Sequence, residues 1–166
     1  MEIIRQWRNE DISWLRTPFK LTKEQQEKWY YDKICDRKSD VRFWGIEEQE
    51  IIHNEIDSVV KPWELIGYGG IENIQWENSI GEISLLISPK HRNKGKGKTA
   101  AIKIIREAFD NINLHTVFAE CYETNKSIKF WDDIFRGCYQ TVLPCKKYSN
   151  GIYYNSIYYS MESKHI

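Results

Sequence analysis

Apolar positions alternate at two periods along this chain, and the switches between them mark its elements. Residues 2–7 predict a short strand ending at Trp7. Thr22 followed by Gln25 is a capping-box pair that opens a helix running to about Cys35, with Trp29, Tyr30 and Ile34 on one face. Residues 41–47 set Val41, Phe43 and Gly45 against Arg42, Trp44 and Ile46, which predicts a strand. The polar stretch 48–62, with Pro62, reads as a loop. Residues 63–74 form a second strand whose Gly67, Gly69 and Gly70 predict a bulge or a close backbone approach. Residues 80–88 (IGEISLLIS) are the strongest strand in the chain and stop at Pro89.

After the basic loop KHRNKGKGKT, a helix runs from Thr99 to about Asn111. Its apolar stripe is Ala101, Ile104, Ile105, Ala108 and Ile112. Residues 115–122 alternate again as a buried strand, and 127–135 form a short aromatic helix. Residues 140–142 and 153–161 are closing strands joined through a Ser149-Asn150-Gly151 turn. This order predicts a mixed α/β sheet in which the two strands flanking the central helix run parallel. No repeat, low-complexity tract or linker divides the chain, so a single domain over residues 1–166 is expected.

Composition narrows the partners. Lys and Arg number 24, as do Asp and Glu, so formal net charge is zero and any anion site must be local. No apolar run reaches the roughly 20 residues of a membrane span, and the first residues lack a secretory h-region. Cys35, Cys121, Cys138 and Cys145 show no metal spacing, so free thiols in the cytoplasm and no metal are expected. Seven Trp and ten Tyr suit a filled core with aromatic walls around a ligand.

Local charge concentrates where strand 80–88 gives way to the helix. Lys90, Arg92, Lys94, Lys96 and Lys98 crowd one loop, and Gly95 and Gly97 let backbone approach a phosphate with no Cβ in the way. The orphan N–H groups of a helix start complete an anion site. Gly97-Lys98-Thr99 supplies the end of a Walker loop, but position 92 is arginine where its first glycine belongs. The rest of the chain offers no basic face for nucleic acid. A third ligand suited to such a loop is the pyrophosphate of coenzyme A.

The segment Arg92-Asn93-Lys94-Gly95-Lys96-Gly97 resembles the Q/R-x-x-G-x-G/A signature of the GNAT (Gcn5-related) N-acetyltransferases, and it lies between strand and helix as that family has it. Asn125 and the segment ETNKSIKFWDDIF resemble the family's later N-x-x-[SA]-x-x-x-Y element. The ends of the chain look like the branch of ribosomal-protein alanine and nucleotide-amino-sugar acetyltransferases, where Gln26 takes the place of a frequent histidine. The resemblance implies a largely antiparallel sheet with a splayed parallel strand pair and flanking helices, and transfer of acetyl from acetyl-CoA to an amine. It implies a cofactor site of Leu86, Ile87, Ser88, Arg92, Asn93, Lys94, Gly95, Lys96, Gly97, Lys98, Thr99, Asn125, Phe130 and Trp131. Backbone N–H of Leu86–Ser88 would hold the thioester carbonyl.

Chemistry then asks for a carboxylate to take the amine's proton. Glu82, sharing a strand face with Ser84 and Leu86, and Glu120, sharing one with Phe118 and Tyr122, are the candidates. The family's tyrosine, often the acid that protonates the departing thiolate, falls on Trp131. A thiol of pKa about 8.5 already gives a fair leaving group, and Tyr122 or Tyr139 could also reach the sulfur. The alternative is an idle acyl-CoA-binding module. His53, His91, His115 and His165 read as surface or loop residues, His91 being beside the phosphate loop. Trp7, Trp14, Trp29 and Trp44 are available for packing or for the acceptor site. The expected acceptor is a small-molecule or N-terminal amine, and a homodimer is compatible with this reading.

Overall fold

The computed structural model describes the chain apart from residues 11, 13, 14, 18, 54–57 and 166 and the side chain of His165. Trp14, weighed above for the acceptor site, lies outside the described residues. Two helices lead: α1 (Glu2–Glu10) and α2 (Lys23–Trp29), which widens into a π turn at Tyr30–Ile34. Six strands form the main sheet: β1 (Arg42–Glu48), β4 (Glu64–Gln75), β5 (Ile80–Ile87), β6 (Thr116–Tyr122), β7 (Tyr139–Ser149) and β8 (Ile152–Glu162). Between β1 and β4, β2 (Ile51–His53) and β3 (Ser58–Val60) make a separate hairpin. Helix α3 (Lys96–Asp110) joins β5 to β6, and α4 (Ile128–Ile134) follows β6. The sheet order is β1-β4-β5-β6-β8-β7. Among neighbouring strands of the described residues, β5 and β6 are the parallel pair, joined by the crossover through α3.

Two expectations need correction. Residues 2–7 are helical: two isoleucines suggest a strand locally, but Trp7 is 7% exposed and belongs to an amphipathic turn. Stretch 48–62 contains a hairpin whose strands are three residues long and largely exposed, so no burial alternation could announce it. Elsewhere the Thr22–Gln25 capping box is present in both directions, with N–H to side-chain distances of 3.2 and 2.9 Å. Helix α3 begins three residues earlier than expected, at Lys96.

One face of the sheet carries the core. Ala101, Ile104, Ile105 and Ala108 of α3 are buried against Ile71, Ile83, Val117 and Ala119. Ile112, the last residue of the predicted stripe, packs at its margin. Trp131 and Phe135 extend the cluster to Tyr159, whose hydroxyl donates to Asp132 at 2.8 Å and ties β8 to the end of α4. Because side chains alternate across a strand, the other face receives Tyr68, Glu72, Glu82, Ser84, Leu86, Phe118, Glu120 and Tyr122. Trp29 reaches that face from α2, with its ring 5.7 Å from Phe43, which in turn lies 5.7 Å from Tyr68.

The glycine-rich middle of β4 is a close approach. A Cβ on Gly70 would fall on Arg42 O and lie 2.6 Å from Phe43 Cα; one on Gly67 would lie 2.7 Å from Leu86 O. The bulge sits further on, between Glu72 and Gln75, with Asn73 in the left-handed region at φ 53°. Gly70→Ala should therefore lower stability by about 1–3 kcal/mol, since the obstructing atoms are backbone and cannot rotate away. Gly97→Ala, whose Cβ meets ordinary contacts at 3.5 and 3.6 Å, should be neutral or stabilising by about 0.4–1 kcal/mol. Urea unfolding midpoints of the two variants check this.

Candidate active site

Strands β5 and β6 pair at three positions only: Ile80 with Thr116, Gly81 with Val117 and Glu82 with Phe118. Both strands continue to Ile87 and Tyr122, so a wedge opens between them. Ser88 N–H donates to Ile66 O at 2.8 Å, and antiparallel alternation then turns Leu86 N–H toward β4 as well. Of the three residues expected to hold a carbonyl, Ile87 has its N–H on the edge facing the wedge. Its own carbonyl, on the same edge, accepts from Arg92 Nε at 2.9 Å. Continuing the register sets Tyr122 level with Leu86 across the opening.

The mouth of the wedge is the start of α3. Gly95, its N-cap, takes φ 76°, and no side chain caps the helix. The N–H groups of Lys96, Gly97 and Lys98 have no helical acceptor in the first turn; Thr99 N–H is the first to find one, at Gly95 O. Asn93 is also left-handed, at φ 59°. Gly97 faces Phe130 and Ile87, so the helix start, the end of β5 and α4 converge there.

The loop cations divide their duties. Lys90 pairs with Glu64 and Lys96 with Glu48, while Arg92 spans back to β5. Lys94 and Lys98 have no ion pair among the described residues. His91 is fixed by Ser88 Oγ at 2.6 Å and faces Glu64 at 3.9 Å, pinning the turn. His53 and His115 bond to neighbouring hydroxyls at 2.9 Å.

Behind the wedge, three carboxylates share the face opposite the core. Arg16, from the segment after α1, grips both oxygens of Glu82, with Nη1 donating to Oε2 at 2.9 Å, and lies 3.6 Å from Glu120. The bulge in β4 aims Asn73 Nδ2 at Glu82 Oε2, 2.9 Å away. Glu120 accepts from Ser156 Oγ at 2.6 Å and has Lys146 Nζ at 4.0 Å. Burial opposes Arg16's charge, but the hydrogen bonds and charge of Glu82, with the charges of Glu120 and Glu72, outweigh it and raise its pKa. Glu72 stands directly opposite Glu82 on β4. Burial pushes its carboxyl up and the charge of Glu82 adds to this, against Arg16, Ser84 and Arg8.

The remaining expected residues are less free. Asn125 Oδ1 accepts from Ser127 N–H at 2.9 Å, shaping the entry to α4. Trp131 is 8% exposed and packs edge-on to Phe130 at 4.9 Å, a core residue rather than a proton donor. Tyr139 lies on β7, two strands from β6. Tyr122 is at the wedge; burial raises its phenol pKa, Arg16 opposes this, and Lys147 Nζ lies 4.9 Å from its ring centroid. Gln26 is 2% exposed, with both amide atoms unpartnered. Among the tryptophans, Trp7 is buried, Trp29 half-buried and Trp44 exposed.

Sequence reasoning missed Arg16 and Glu72. Arg16 lies in no periodic element and meets Glu82 only through the fold. Glu72 did carry a signal, being a charged residue inside an otherwise glycine-rich and apolar strand. Among the described residues no group of three or more His, Cys, Asp or Glu could hold a metal ion, and no helix is long and apolar enough to cross a membrane.

The family described as Acetyltransferase (GNAT) domain matches residues 1–129. Among solved structures, spermidine N-acetyltransferase from Vibrio cholerae in complex with CoA and spermine superposes with a TM-score of 0.76. The two are 19% identical over 98% of this chain and 89% of that one. A chimera of Vibrio cholerae SpeG and hSSAT gives 0.74 at 17% identity, over 99% and 94% of the two chains. A probable acetyltransferase gives 0.55 at 23% identity; there the match spans 62% of this chain and 58% of the other. No curated protein sequence matches.

Arg16→Ala should cost about 1–3 kcal/mol, because it leaves the buried Glu82 carboxylate with Asn73 as its remaining partner. In a Glu82→Gln background the same substitution should cost much less. A double-mutant cycle by urea unfolding, with a coupling of at least about 1 kcal/mol, measures the pair.

Proposed function

The chain belongs to the GNAT acetyltransferase family, and from that premise we propose that residues 1–166 act as one unit moving an acetyl group from acetyl-CoA to a primary amine by direct attack. The observation that carries this reading is the wedge, with an uncapped helix start at its mouth and a carboxylate face behind it. The pyrophosphate lies on the N–H groups of Lys96, Gly97 and Lys98, with Lys94, Lys98 and Arg92 for charge and Asn93, Gly95 and Thr99 shaping the turn. The pantetheine arm passes between Ile87 and Phe130, with Asn125 holding the start of α4 and Trp131 backing it. Ile87 N–H, flanked by Leu86 and Ser88, receives the thioester carbonyl and the negative charge that grows on it during attack.

The amine enters over the carboxylate face. Glu82 and Glu120 orient its ammonium by taking hydrogen bonds that Arg16 otherwise supplies, and the proton passes to a carboxylate of this face before attack. Tyr122, level with Leu86, is the group placed to protonate the departing thiolate. Its help need not be large, since a thiol of pKa about 8.5 already leaves well. Three acids gathered around one guanidinium favour a small cationic amine as acceptor. The Vibrio cholerae neighbour, described with spermine, is consistent with that class. Four free cysteines suit a reducing compartment, the cytoplasm.

Acetyl-CoA should raise the melting temperature with the logarithm of its concentration. Gly97→Val should abolish that rise without unfolding the protein, because its methyls enter the gap between Ile87 and Phe130. Lys94→Ala with Lys98→Ala should weaken binding by about 1–3 kcal/mol in low salt and less in high salt. Normal acetyl-CoA binding by Gly97→Val would place the nucleotide elsewhere. Screening primary amines for thiol release tests the transfer itself.

A further inference from the structure

We propose that Glu72 is the group that takes the proton of the acceptor amine, a deepening that rests on the acetyl-transfer reading above. Glu72 sits on β4 in direct register with Glu82 and on the same face as Glu82, Ser84 and Glu120. It is one strand away from the wedge, beside the Glu82 carboxylate that borders it.

The three carboxylates differ in what already holds them. Both oxygens of Glu82 accept hydrogen bonds from Arg16, and Asn73 adds another. Glu120 accepts from Ser156, with Arg16 and Lys146 beyond. A carboxylate so engaged serves to hold a cation, because accepting a proton would forfeit those bonds. Glu72 has no ion pair among the described residues, and the hydroxyl of Ser84 on β5 is its polar neighbour. Its lone pairs are the ones left for a transferable proton.

The surroundings favour that proton. Burial raises the Glu72 pKa, and the charge of Glu82 on β5 raises it further. Arg16 from the loop, Ser84 on β5 and Arg8 on α1 pull the other way without reversing the direction. Glu120 and Tyr122 on β6, Tyr158 on β8, Lys146 on β7 and Asn73 and Tyr68 on β4 also border this face. A base whose pKa approaches the working pH both accepts and releases its proton readily.

The step balances. The acceptor ammonium gives one proton to the Glu72 carboxylate and becomes a neutral amine. Its lone pair forms the C–N bond to the thioester carbon, and the C–S bond breaks with its electron pair on sulfur. The nitrogen then loses a second proton, which ends on sulfur as the free thiol, and Glu72 returns its own proton to water. The amide, the thiol and one proton are the products.

The test compares wild type, Glu72→Gln, Glu82→Gln and Glu120→Gln for thiol release with putrescine, spermidine, glucosamine and glycinamide over pH 6–9. Glu72→Gln should lose about 10²–10⁴-fold in kcat near pH 7, with acetyl-CoA binding unchanged, and recover as the amine deprotonates unaided. Glu82→Gln and Glu120→Gln should raise KM for the amine instead. Carbon-13 carboxyl titration of the folded protein supplies a readout independent of turnover: Glu72 should ionise above the exposed glutamates. An active wild type with an equally active Glu72→Gln, or a Glu72 resonance titrating among the exposed glutamates, overturns the assignment. A wild type that releases no thiol with any of the four amines overturns the acetyl-transfer reading instead.

Discussion

Where β5 parts from β6 beyond Glu82 and Phe118, the sheet gives up a run of backbone hydrogen bonds at its centre. Unpaired N–H and C=O groups are costly unless water or a ligand meets them. The opening persists because each strand is held on its other side, β5 by β4 and β6 by β8, through long antiparallel ladders. Helix α3 spans the two strands on the core face and fixes their separation with its buried alanines and isoleucines. The uncapped start of α3 and the wedge-facing N–H of Ile87 lie at that divergence.

The opposite face obeys electrostatics more than packing. Three acids on neighbouring strands would repel one another, and the segment after α1 answers with Arg16. The arrangement creates an order among the carboxylates, because the guanidinium grips Glu82, reaches toward Glu120 and leaves Glu72 to burial. Bulges refine it. Asn73 turns left-handed to reach Glu82, and Cys145, at φ 54°, marks the irregularity in β7 from which Lys146 approaches Glu120.

Much of this was legible from residue order alone. The β5 alternation, the α3 stripe and the turn before β8 are short-range patterns that burial enforces, and the glycine-rich basic loop announced the helix start. The first helix was misread because Ile3 and Ile4 favour a strand locally and a nine-residue helix with Trp7 as its buried residue carries little periodic information. The hairpin of β2 and β3 is too short and exposed to leave an alternation. Within the site, Glu82 and Glu120 could be found by strand parity. Arg16 could not, because its role depends on a contact that spans the chain. Trp131 illustrates the converse: alignment to a catalytic tyrosine was visible, but its burial against Phe130 and Phe135 is a tertiary fact.

The carboxylate face draws on residues from near both ends of the chain, with Arg16 arriving before the sheet begins and Lys146 and Ser156 arriving on the last hairpin. Contacts of such high sequence separation are entropically expensive and form late. During synthesis, β4, β5, α3 and β6 emerge before β7 and β8, but β6 is held away from β5 only once β8 pairs with it, so the wedge is secured by the last hairpin. The wedge and the acidic face thus reach their final form together, with that hairpin, rather than one ahead of the other.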